Sequence, residues 1–131
     1  MDLTQVLQKR VELYAEGNKL YDEGNKLFDE GNKLVDDGDK LFDEGNKLFD
    51  EDNKLVDEGN KLYDEGNKLT VKGDKLIYEG RNLFDEGDKL YADGDKLLTT
   101  HLKDTKYELV DFGGFEILLI NGVGQFTGVE L

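Results

Sequence analysis

A seven-residue unit, Leu–aromatic–Asp–Glu–Gly–Asn–Lys, repeats twelve times from Leu13 to Lys96 with no insertion or deletion. Leucine recurs at 13, 20, 27, 34, 41, 48, 55, 62, 69, 76, 83, 90 and 97. An unbroken period of seven predicts a left-handed coiled coil, because about 3.5 residues per turn holds one helix face in register. At roughly 103° per residue, Leu lies near 0°, the aromatic near 103° and Gly near 51°. Glycine thus occupies the centre of an apolar stripe flanked by two large side chains. Asp, Glu, Asn and Lys fill the solvated arc.

Eleven glycines inside the pattern are costly, at about 1 kcal/mol each against alanine. They fit a helix only where the missing side chain lets a second backbone approach. The stripe is wider than a two-residue seam, which favours several helices. The expected architecture is therefore mainly α, a long oligomeric coiled-coil rod. Its seam carries Leu20, Phe28, Gly45, Phe49, Gly59, Tyr63, Leu83 and Phe84. One helix over residues 3–102 would be about 150 Å long and would bury nothing alone, so its core is expected between chains. The rival is a β-solenoid, with Asp–Glu–Gly–Asn as turn and Lys–Leu–Phe–Asp as strand. Poor strand formers in the repeat count against it. So does the ordinary helical segment Leu3 to Glu16, which enters in phase with Val6 and Leu7 at the Leu and aromatic positions.

Three segments follow from the pattern: a lead-in or attachment segment at 1–12, a shaft at 13–103 and a C-terminal cap at 104–131. Asp2 or Thr4 is placed to cap the helix. In the shaft, Asp52 replaces a glycine and puts a carboxylate at the centre of the stripe. There it is either a charged core layer that sets register or holds an ion, or an exposed change tolerated by loose packing. Residues 70–82 also depart from the repeat, through Thr70, Val71, Lys72, Tyr78 and Arg81. His101 stands at the shaft's end, where a cap or packing role is more usual than a ligand.

The last residues switch period. Lys106 to Phe112 and Phe115 to Ile120 read as strands around Gly113–Gly114. Asn121–Gly122 is a strong two-residue hairpin signal leading into Gln125 to Leu131. Such a three-stranded antiparallel meander is too small for a core alone. Its Tyr107, Phe112, Phe115, Ile117, Leu119 and Phe126 are expected to pack against neighbouring chains as a β cap, most simply as a parallel homotrimer, with higher cyclic states as the alternative.

Catalytic chemistry is not expected. The chain has no serine and one histidine, which excludes a Ser/His/Asp set. The acidic pairs belong to the solvated face, Asp36–Asp37–Gly38–Asp39 lacks the calcium-loop pattern, and the glycine pairs near the C-terminus lack the strand-then-helix setting of a phosphate loop. No cofactor or metal is implied. A net charge of −14 disfavours nucleic acid and anionic lipid as partners. It also leaves open an acidic decoy that binds a basic partner. The longest apolar run, Ile117 to Ile120, is far short of a membrane span, and the opening residues show no signal peptide.

The string GNKLYDEGNKLFDEGNKL resembles the glycine-containing EGNKL/EGDKL heptad proteins of tailed bacteriophages, over residues 13–97. That resemblance implies a virion fibre or whisker-like appendage whose partners are its own copies and other virion proteins. Outside a virion, a cytoplasmic scaffold rod is the corresponding expectation.

Overall fold

The computed structural model describes residues 1–51 and 55–131, with only the backbone described at 50 and 51. The chain is mainly helical. Helix α1 spans Leu3–Glu51 and α2 spans Val56–His101, followed by strands β1 (Tyr107–Phe112), β2 (Phe115–Ile120) and β3 (Val123–Glu130). The chain divides into two compact units, one of Met1–Tyr21 with Asp85–Leu131 and one of Asp22–Phe84. The lead-in and the cap thus belong to one unit together with the helix ends. Asp52 lies outside the described residues.

Asp2, not Thr4, caps α1. Its carboxylate accepts the Gln5 backbone N–H at 2.9 Å, and Gln5 Oε1 accepts the Asp2 N–H at 2.9 Å. This reciprocal box satisfies backbone donors that the first helical turn leaves unpaired.

The glycines meet one another within the chain. In the second unit, a methyl group placed on Gly31 would lie 2.6 Å from the Gly73 carbonyl oxygen, and one on Gly73 would lie 2.5 Å from the Gly31 carbonyl oxygen. Gly24 faces Gly80, Gly38 faces Gly66 and Gly45 faces Gly59 in the same way. In the first unit Gly17 faces Gly87. The residue numbers of every such pair add to 104, so within each unit the two helices run antiparallel. Among the described residues of the repeat from Leu13 to Leu97, the glycines alone are fully buried, and the flanking leucines and aromatics are half-buried. Backbone-to-backbone approach is what ten of the eleven helical glycines provide, and it offsets their low helix propensity.

The seam is expected between chains, because a lone helix has no partner; within this chain the same faces already meet. Here α1 and α2 are separate, oppositely directed helices, and each supplies the other's partner. Phe28 stacks on Phe84 with centroids 5.4 Å apart, and Phe49 stacks on Tyr63 at 5.5 Å. Gly45 faces Gly59, while Leu20 and Leu83 stand half-buried on the flank.

The sheet has the order β1-β2-β3, antiparallel throughout. Both connections are two-residue turns with positive φ at each position: Gly113 (63°) and Gly114 (92°), then Asn121 (53°) and Gly122 (78°). That geometry matches the right-handed twist of the strands and explains Gly-Gly and Asn-Gly there. The cap does not depend on other chains for a core. Val6, Leu7, Leu98, Leu102 and Leu118 form one buried cluster, against which Leu3, Leu97, Tyr107 and Ile120 pack. Leu98 and Leu118 are 1% and 0% exposed. A meander too small by itself is completed by the helix ends of its own chain.

Candidate functional site

Two features stand out in the first unit, a buried polar lock and an exposed apolar sheet face. The lock begins with a break in the repeat. Counted backwards in sevens from Gly17, the glycine slot falls on Arg10, opposite Gly94. A methyl group on Gly94 would lie 3.3 Å from Arg10 Cγ, so the missing side chain there makes room for the arginine stem. Arg10 is 2% exposed. Its Nη1 donates to Glu116 Oε1 at 2.5 Å and its Nη2 to Glu116 Oε2 at 3.3 Å. Nε and Nη2 also donate to Asp95 Oδ1 at 3.2 and 3.1 Å. The Thr127 hydroxyl donates to Glu116 Oε1 at 2.8 Å. Arg10 also lies 4.8 Å from the centroid of the Tyr14 ring, and the Tyr14 hydroxyl donates to Asp95.

Burial pulls the Arg10 pKa down, but the hydrogen bond and charge of Glu116, helped by Asp95, raise it above the ordinary value. Burial and the bond to Asp95 push the Tyr14 phenol up to about 12. The network therefore holds a charged arginine against a carboxylate, tying α1, α2, β2 and β3 together. It is a structural arrangement, since the guanidinium and both Glu116 oxygens are engaged within it. Sequence reasoning passed over Arg10 and Glu116. The signals were a cation at a glycine slot, and a carboxylate alternating with Leu118 and Ile120 along a strand.

A second register rule runs along the helices. Tyr14–Asp95, Tyr21–Asp88 and Tyr91–Asn18 in the first unit, and Tyr63–Asn46 in the second, are hydroxyl-to-side-chain hydrogen bonds whose residue numbers all add to 109. The Asn/Asp slot of the repeat is thus the acceptor for a tyrosine on the facing helix. Its bond to Asp88 raises the Tyr21 phenol to about 12. Arg81 takes the same slot opposite Phe28, with its guanidinium 5.9 Å from the ring centroid. Thr70 stands in an aromatic slot, its hydroxyl buried without a hydrogen-bond partner. Val71 and Tyr78, from the same variable stretch, are exposed.

The sheet's other face is apolar and open. Cross-strand pairing places Phe112 beside Phe115, Val110 beside Ile117, and Ile117 beside Phe126. Phe112, Phe126 and Phe115 are 67%, 66% and 48% exposed. Phe115 and Phe126 meet edge to face at 6.1 Å. Ile117 and Leu119 are half-buried. Of the six expected cap residues, Tyr107 reaches the helix-end core, and the other five do not belong to it.

Among the described residues no helix is long and apolar enough to cross a membrane, nor do those residues include a group of three or more His, Cys, Asp or Glu able to hold a metal ion. No protein-family model, curated protein or solved structure matches the chain.

Proposed function

We propose that the chain is a structural virion protein of a tailed phage, part of a fibre or whisker-like appendage that works by self-association and presentation. The observation that carries this reading is the apolar surface left over once the fold is complete. Leucines and aromatics flanking the glycine seam remain half-buried, and three phenylalanines stand open on one face of the sheet. Contiguous exposed apolar surface of this kind marks an interaction site. Packing of these sheet faces between copies gives the homo-oligomer, with a trimer the simplest closed form and higher cyclic states as the alternative. The assignment to a virion rests on the resemblance of the repeat.

Mass spectrometry of purified particles tests the virion assignment, and light scattering of the purified chain tests self-association. Presence in particles and a defined oligomer are expected. A chain that stays monomeric at every concentration and is missing from particles overturns the reading. The net charge of −14 favours a second reading, an acidic decoy for a basic partner. A decoy would bind a cationic partner in a salt-sensitive way without joining particles.

A further inference from the structure

The glycine register makes a second copy of this chain an equivalent partner for the seam. We propose that the protein forms an exchanged dimer in which α1 of each copy pairs with α2 of the other in the observed register. Such a dimer does not depend on the virion assignment. In both units the facing glycines satisfy one rule, residue numbers adding to 104. The tyrosine hydrogen bonds satisfy another, adding to 109. Neither rule specifies that the facing residues belong to the same chain. A helix pair drawn from two chains can reproduce each glycine contact, each tyrosine bond and the Arg10–Glu116 pair.

The sequence keeps the heptad in phase where the two helices adjoin, with leucines at 41, 48, 55 and 62. A continuous heptad suits a continuous pairing as well as a reversed one. The midpoint of the glycine register is position 52, the one glycine slot between Gly17 and Gly94 that holds another residue. Exchange of identical elements is a low-cost route to dimers for such a symmetric pattern.

Charge reversal distinguishes exchange from every other association. Arg10→Glu adds a third carboxylate beside Glu116 and Asp95 in the head, and Glu116→Arg sets two guanidinium groups together. Each variant alone is mispaired whether it folds as a monomer or as a homodimer. In an exchanged heterodimer both heads regain a cation facing an anion, one in the original sense and one reversed. The two variants are unfolded together, refolded as an equal mixture, and melted beside each variant refolded alone. The expected result is a heterodimer by native mass spectrometry that recovers more than half of the lost melting temperature. If neither variant folds alone, a folded species in the mixture alone is the same result. A mixture that melts as its separate components, or contains no folded species, overturns the proposal.

Discussion

Alanine in the glycine seam is the sharpest test of the packing, because two effects of known size oppose each other there. On an open helix surface Gly→Ala stabilises by about 1 kcal/mol. In the seam the added methyl group meets backbone. At Gly31 it would lie 2.6 Å from the Gly73 carbonyl oxygen, whereas ordinary contact begins at 3.4 Å. The helices would have to separate locally by most of an ångström, loosening the flanking contacts. Overpacking of that kind costs about 1–3 kcal/mol, and here a carbonyl cannot swing aside as a side chain can. Gly31→Ala and Gly73→Ala should therefore be destabilised by about 1 kcal/mol net, lowering the melting temperature by roughly 3–6 °C. Gly94→Ala should differ, because the atoms nearest its methyl group are side-chain carbons of Arg10 and Tyr14 at 3.3 Å, which can give by tenths of an ångström. Helix propensity should win there, leaving the protein neutral or up to about 1 kcal/mol more stable. Denaturant unfolding followed by circular dichroism measures all three. If Gly31→Ala and Gly73→Ala stabilise as much as Gly94→Ala, the helices do not touch through their backbones and the packing argument fails.

Arg10→Ala should cost about 3–5 kcal/mol, since it strands the buried Glu116 carboxylate, whereas Arg10→Met with Glu116→Leu should recover much of that loss; chemical denaturation of the two proteins checks it. The Tyr14 and Tyr21 phenols, raised from 10.0 to about 12, favour the protonated form in the folded state. Their contribution is therefore complete below pH 10.0 and is lost as the pH rises toward 12; a phenolate titration by absorbance should show late-titrating tyrosines, and Tyr14→Phe should remove one of them. Phe112→Ser with Phe126→Ser should reduce self-association while shifting the melting temperature little, because both rings are largely exposed. An unchanged oligomer by light scattering would exclude the sheet face as the contact.

Much of this molecule is written in its periodicity. A stripe with Leu at one edge, an aromatic at the other and Gly between them demands helices whose backbones touch, and Gly17 through Gly87 do so. Gly113–Gly114 and Asn121–Gly122 demand tight hairpins, because residues at positive φ are needed there, and the meander follows. Periodicity reports which face is buried, but neither the direction of the partner nor whose chain it belongs to. The same heptad lies on both sides of position 52, so pairing between parallel chains, between antiparallel chains and within one chain look alike along the sequence. Only the tertiary structure chose the antiparallel pair within the chain. It also chose what completes the sheet. Leu118 and Ile120 alternate with Glu116, a pattern that marks a buried face without saying what covers it, and the cover turned out to be Val6, Leu7 and Leu98 of the same chain. Arg10 was legible as a break in the glycine series, but its meaning depended on a carboxylate more than a hundred residues away. Pairings at such separation are fixed by how elements pack, and a local repeat carries no record of them.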